Sequence, residues 1–155
     1  MFSTIVHPTD LSDASTPALK TAHELARVLG SRLLVCYITH PPMVASGTRL
    51  TDPETNETRD IPREIQAIQP SHPGVNVEVK IITIAASSEI DPLLAVLESM
   101  DGQLLVLGMH KKKGIGGWFG KSLTEAIVSK ANCDVLVVKQ PRPTKRANQK
   151  REKGD

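Results

Sequence analysis

The residues most suited to binding chemistry lie in a loop between residues 108 and 122 that is rich in glycine and lysine. It separates an apolar run, typical of a buried strand, from a helical pattern that follows Ser122. Glycines let the backbone approach a ligand closely, and the dipole of a following helix favours negative charge. The loop therefore predicts a phosphate-binding site, to which four lysines add positive charge: Lys111, Lys112, Lys113 and Lys121.

The end of this loop is close to a Walker A motif but does not match it. Gly120, Lys121 and Ser122 supply the end of the motif, whereas its first glycine would fall at Ile115. No later strand ends in an acidic residue suited to hold magnesium. We therefore do not predict a P-loop nucleotidase, and a structural glycine loop with solvated lysines remains an alternative.

Asp10 is a second candidate, because it follows the first predicted strand, Thr4 to His7. Its carboxylate is positioned either to contact a hydroxyl or amine of a ligand or to close an Asx-turn in its own backbone. His7 and His110 also lie near strand ends, but neither has a second ligand at metal-binding spacing. No metal site is predicted.

The elements that must position these residues form a repeating pattern of strands and helices. We expect Pro8 to end the first strand, and we expect the segment from His40 to Gly74 to be an irregular surface excursion with one short helix. This order predicts an α/β fold, an open parallel five-stranded sheet with helices on both faces, whose ligands bind beyond the carboxyl ends of the strands. The predicted elements are strands Thr4–His7, Arg32–Ile38, Val75–Ile84, Gln103–Leu107 and Val135–Val138, and helices from Pro17 to Gly30, Pro62 to Ile68, after the Ser87-Ser88 cap, and after Ser122.

Composition indicates one domain, residues 1–140, followed by a basic disordered tail, residues 141–155. Hydrophobic residues make up 39% of the chain and aromatic residues only 3%, so the core should be aliphatic. From Lys139 onward there are seven basic and two acidic residues, which suits a solubilising tail or weak attachment to nucleic acid or an acidic surface. The two cysteines should be free thiols, and with no signal peptide or membrane span evident we expect a cytoplasmic protein.

Three segments together resemble the universal stress proteins of the small single-domain type: TIVHPTDLSDAS, LLVLGMH and KSLTEAIVSKANCDVLVVK. The resemblance covers about residues 1 to 140 and implies a doubly wound fold like that of the adenine nucleotide α-hydrolases. Many members bind ATP through a motif of Gly, two residues, Gly, nine residues, Gly, then Ser or Thr. Gly108 and Ser122 match this motif, whereas Lys111 and Lys121 replace its second and third glycines.

The resemblance also implies roles for residues at the strand ends and at the start of the last helix. The adenine and ribose would be lined by Pro8, Thr9, Asp10 and Tyr37. The ribose and phosphates would lie along Leu107, Gly108, Met109 and His110, and the phosphate oxygens would be held by Ser122 and Leu123. Lys111 and Lys121 would either contact phosphate or block it.

Two classes of function follow from the resemblance. The first is a nucleotide-binding module in stress response or signalling, with slow ATP hydrolysis at most, since no general base is apparent. The second is a dimeric interaction protein that binds no nucleotide and contacts an unknown protein partner. Members of the family commonly dimerise through the last strand of each copy. In either class, the resemblance therefore implies a homodimer through Val135 to Val138.

Overall fold

The structure is a computed structural model that describes residues 2–85, 90–109 and 121–140, with the side chains of Lys121 and Ser122 left out. The cap at Ser87-Ser88, the loop from His110 to Gly120 and the tail 141–155 lie outside the described residues. The elements, in chain order, are β1 (Thr4–Thr9), α1 (Thr16–Leu29), β2 (Arg32–Thr39), β3 (Val44–Ser46), β4 (Arg49–Thr51), β5 (Thr58–Asp60), α2 (Ile61–Ile68), β6 (Val77–Thr83), α3 (Ile90–Glu98), β7 (Leu104–Met109), α4 (Lys121–Lys130) and β8 (Asp134–Lys139).

Five of these strands form one parallel sheet in the order β6-β2-β1-β7-β8, which confirms the predicted α/β architecture. Successive side chains of a strand point to opposite faces, so the apolar runs of the central strands are buried on both sides. Ile5 belongs to the cluster that includes Leu19 of α1, whereas Val6 belongs to the cluster that includes Leu93 of α3 and Ile127 of α4. The sheet therefore separates two aliphatic cores.

Helix α1 begins and ends as the sequence predicts. Pro17 occupies the first turn, where its missing N–H costs no hydrogen bond. Gly30 ends the helix in the left-handed conformation with φ +65°, which glycine adopts without the penalty of a Cβ atom. Its buried residues, among them Leu19, Ala22 and Ala26, recur at helical spacing and face the sheet.

The prediction that Pro8 ends the first strand is wrong, since β1 continues through Pro8 to Thr9. Pro8 is in register with Cys36 of β2, but no pair between β1 and β7 extends beyond Val6 and Leu105. At Pro8, β1 is thus paired with β2 alone, as a strand at the edge of a sheet would be. A missing N–H is tolerated there.

The prediction for residues 40–74 is right about its helix and wrong about the rest. Helix α2 spans Ile61–Ile68, and the side chain of Asp60 accepts a hydrogen bond from the amide of Arg63 as its N-cap. Before it, β3, β4 and β5 form a small antiparallel sheet that the sequence did not predict. Each of these strands has three residues, too few for an alternating pattern to stand out.

In the part of the chain that the structure describes, no helix is long and apolar enough to cross a membrane.

We predict that Gly102→Ala destabilises the fold, because the backbone before β7 passes very close to β1. A Cβ atom at Gly102 would lie 2.5 Å from Cγ2 of Val6, which is fully buried and stiff at χ1. The expected loss is about 1–3 kcal/mol in the free energy of unfolding, measured by urea denaturation. In a Val6→Ala background the same substitution should cost much less. An equal cost in both backgrounds would contradict this explanation.

Candidate functional site

The candidate site lies where β1 and β7 stop pairing. Their ladder has two pairs, Ile5 with Leu104 and Val6 with Leu105. By contrast, pairing of β1 with β2 reaches Thr9, and pairing of β7 with β8 reaches Met109. The strand order reverses between β1 and β7, and in such sheets this is the place where a crevice opens at the carboxyl ends.

His7 bridges the two strands just beyond the last pair. Its imidazole Nδ1 lies 2.8 Å from the carbonyl oxygen of Val106, so Nδ1 carries the proton and donates. The ring is fully buried, and among the described residues its Nε2 has no hydrogen-bond partner. Burial lowers the pKa of His7 to about 4, although the Val106 carbonyl and the charge of Asp10 act in the opposite direction. His7 is therefore neutral near pH 7 and acts as a structural donor.

The turn from β1 to α1 is fixed by its own side chains. Thr9, which is fully buried, donates its hydroxyl to Oγ of Ser15 at 3.0 Å and accepts the amide of Leu11 at 3.0 Å. The amide of Ser12 donates to Oδ1 of Asp10 at 2.9 Å, so Asp10 forms the Asx-turn that the sequence left open. The turn is thus organised before any ligand arrives, and a contact from Asp10 to a ligand stays a prediction.

The end of β7 meets the start of α4 on the other side of the crevice. The hydroxyl of Thr124 donates to the carbonyl oxygen of Gly108 at 3.3 Å, which attaches the first turns of α4 to the strand. A Cβ atom at Gly108 would lie 3.4 Å from that of Ala18, an ordinary van der Waals distance, so α1 packs directly against this end of β7. Because α4 begins at Lys121, its first amide groups have no acceptor within the helix, and the amino end of a helix attracts anions.

The structure brings together most of the described residues that the sequence proposed, but not in equivalent roles. Thr9 ends β1 and Asp10 follows it, while Gly108 and Met109 end β7. The side chains of Leu107 and Leu123 are buried in the aliphatic core, so only their backbone atoms could reach a ligand. Pro8 is buried within the strand. His110 and Lys111 lie outside the described residues, as do the side chains of Lys121 and Ser122.

Tyr37 is covered by an arginine that sequence reasoning missed. Arg59 of β5 donates through Nη1 to the hydroxyl of Tyr37 at 2.9 Å, with its guanidinium carbon 5.3 Å from the ring centroid. Through Nε and Nη2 the same group donates to both carboxylate oxygens of Glu64, at 2.9 and 2.7 Å. Tyr37 thus lies beneath the small sheet. The only signal was an Arg and a Glu five residues apart around a helix start.

The comparisons with known proteins agree with this architecture. The sequence model described as the universal stress protein family matches residues 1–139. This chain belongs to the universal stress protein family. A universal stress protein of Methanocaldococcus jannaschii is 24% identical over 148 residues, which cover 92% of this chain and 85% of that protein.

Solved structures of the family share the fold at low sequence identity. A universal stress protein crystallised in complex with cAMP has a TM-score of 0.59 and 20% identity, and the match covers 90% of this chain and 98% of that one. A family member from Burkholderia pseudomallei has a TM-score of 0.59 and 22% identity, and the match covers 88% of this chain and 95% of that one.

Within the described residues, no group of three or more His, Cys, Asp or Glu is placed to hold a metal ion.

We predict that His7 makes the stability of this universal stress protein depend on pH between about 6.5 and 4. A folded-state pKa below the unfolded value means that the unfolded chain binds the proton more readily. The contribution is complete above pH 6.5 and is lost as the pH falls, up to about 3 kcal/mol. His7→Asn retains a donor near Nδ1 but cannot titrate, so its unfolding free energy, measured with urea, should vary less over this range. An unchanged pH dependence would contradict the role of His7.

Proposed function

We propose that this universal stress protein binds an adenine nucleotide, ATP in the first instance, in the crevice between β1 and β7. The observation that carries the proposal is that the ladder between these strands ends at Val6 and Leu105 while α4 begins at the same edge of the sheet. An opening between strands and a helix N-terminus beside it together suit a nucleoside phosphate. The cAMP complex of a family member with the same fold supports this choice of ligand.

The two sides of the crevice suit different parts of a nucleotide. On the β1 side, the backbone around Thr9 and Asp10 is held in place by side-chain hydrogen bonds, so its groups could bind the base and ribose without a large ordering cost. On the β7 side, the first amides of α4 and the lysines of the loop 108–122 would bind phosphate oxygens. Each charge-assisted hydrogen bond would contribute about 1.5–3 kcal/mol.

We predict that affinity rises with the number of phosphates, in the order AMP, ADP, ATP, when measured by isothermal titration calorimetry. Lys121→Glu should weaken ATP binding about tenfold or more, because it places a negative charge at the start of α4. Ser122→Ala should weaken it less. The matched control is Lys20→Glu, a charge reversal at an exposed position of α1, which should leave the affinity unchanged.

Two outcomes separate the alternatives for Lys111 and Lys121, which replace glycines of the family motif. If the lysines contact phosphate, the double variant Lys111→Gly, Lys121→Gly loses affinity. If they obstruct the phosphates, the same variant gains affinity. An absence of heat with every nucleotide at millimolar concentration, in the wild type and in this variant, would refute nucleotide binding.

A second function, a dimeric interaction module, is favoured by the edge strand β8. It pairs with β7 on one side, and its aliphatic residues remain partly open. Leu136 is 37% exposed, and Val135, Val137 and Val138 are half-buried. We propose that two copies pair through this edge, which would satisfy its backbone groups and cover the aliphatic side chains. Nucleotide binding and dimerisation are compatible, because the edge is separate from the crevice.

We predict that Leu136→Lys shifts the protein from dimer to monomer, as measured by light scattering at micromolar concentration. A lysine on an edge strand discourages pairing, and Leu136 is exposed enough for the substitution to spare the fold. Val44→Lys is the control, since Val44 is 55% exposed on the small sheet. A wild-type protein that is already monomeric would contradict the proposal.

A further inference from the structure

A cavity of about 390 Å³ lies at the opposite end of the sheet from the crevice. It is bounded by the end of α3, by the segment that enters β7, and by the segment that joins α4 to β8. Its size is within the range of small-molecule sites, about 300–1,000 Å³. Leu97 and Leu105 give it a buried apolar floor, and Cys133, the residue before β8, also lines it.

The rim of this cavity is negatively charged. Glu98 and Asp101 line it and are exposed, and no Lys or Arg is among the described residues that do so. The cavity also lies at the carboxyl end of α3, where the helix dipole favours a cation. Lys130 at the end of α4 does not neutralise the rim, because its ammonium group is paired with Asp91 at 2.8 Å.

We propose that this amino-end cavity binds a small organic ammonium ion with a short alkyl body. The alkyl chain would lie on the leucine floor, where its removal from water is favourable. The ammonium group would stay at the rim, within reach of the carboxylates of Glu98 and Asp101. An anion of the same size would be repelled by these carboxylates. The site is distinct from the nucleotide crevice, so the two proposals stand or fall separately.

Cys133 provides a chemical handle on the cavity. The chain has two cysteines, and Cys36 is fully buried, with its pKa raised to about 12 by that burial. Burial raises the pKa of Cys133 as well, but this thiol is partly exposed and lines the cavity, so at alkaline pH iodoacetamide should alkylate Cys133 and spare Cys36 in the folded protein. The added carboxamidomethyl group would occupy part of the cavity and exclude a ligand.

The test uses n-hexylammonium as the probe, with hexanol and hexanoate as size-matched neutral and anionic compounds. Calorimetry on the full-length protein should detect binding of hexylammonium, weaker binding of hexanol and none of hexanoate. The double variant Glu98→Gln, Asp101→Asn should bind hexylammonium about tenfold more weakly. Both substitutions preserve shape at exposed positions, and asparagine tolerates the left-handed backbone of Asp101, with φ +52°. Glu54→Gln, which removes an exposed carboxylate in the turn between β4 and β5, should have no effect.

Alkylation of Cys133 locates the site. Treatment of the wild type with iodoacetamide should abolish binding of hexylammonium, whereas the Cys133→Ser variant should bind before and after the same treatment. The proposal is overturned if hexylammonium gives no heat at millimolar concentration or if hexanoate binds equally well. It is also overturned if binding survives alkylation of the wild type, or if removal of both carboxylates leaves the affinity for hexylammonium unchanged.

Discussion

The arrangement of the whole molecule depends on the short seam between β1 and β7. Two residue pairs join the half of the sheet made of β6, β2 and β1 to the half made of β7 and β8. The side chains along the seam, Ile5 and Val6, extend into separate cores and hold a helical layer on each face. Where the ladder ends, the buried imidazole of His7 takes over with its bond to the carbonyl of Val106. A longer ladder would close the crevice, and a shorter one would leave the two halves poorly joined.

Parallel strands and their crossover helices give the two ends of the sheet different electrostatic character. Each helix that follows a strand starts at the carboxyl end of the sheet and returns to the amino end. The amides at the start of α4 therefore lie beside the crevice. The carboxylates of Glu98 and Asp101 lie at the other end, beside the amino-end cavity. One fold thus presents one end that suits anions and another that suits cations.

The five-stranded sheet and α1 were predictable because their signals are local and strong. Long aliphatic runs such as that of β2 specify strands buried on both faces, and the Pro17 start and Gly30 end delimit a helix. The small sheet was not predictable, because three-residue strands carry little pattern and depend on packing around Leu50 and Ile61. Pro8 was misplaced because its tolerance depends on where the neighbouring ladder stops, which is a property of the assembled sheet.

The candidate site was predictable as a location and less so as chemistry. Strand ends and the family motif located Thr9, Asp10 and Gly108 at one edge. The sequence could not reveal that Ser15 completes the hydrogen bonds of Thr9, or that Arg59 covers Tyr37 from a separate sheet. These contacts join segments whose spacing has no regular period. The roles of Lys111 and Lys121 stay predictions, since both depend on the orientation of side chains outside the described residues.

The seam also has a consequence for the order in which the chain folds. His7 and Val106, which meet across it, are 99 residues apart in the sequence. Closing so long a loop costs conformational entropy that few backbone bonds can offset until the surrounding surfaces have formed. The half containing β1, α1 and β2 involves contacts of much shorter range and is the natural nucleus. We therefore expect the seam to form late in folding, so that the crevice it borders appears only when both halves of the sheet have docked.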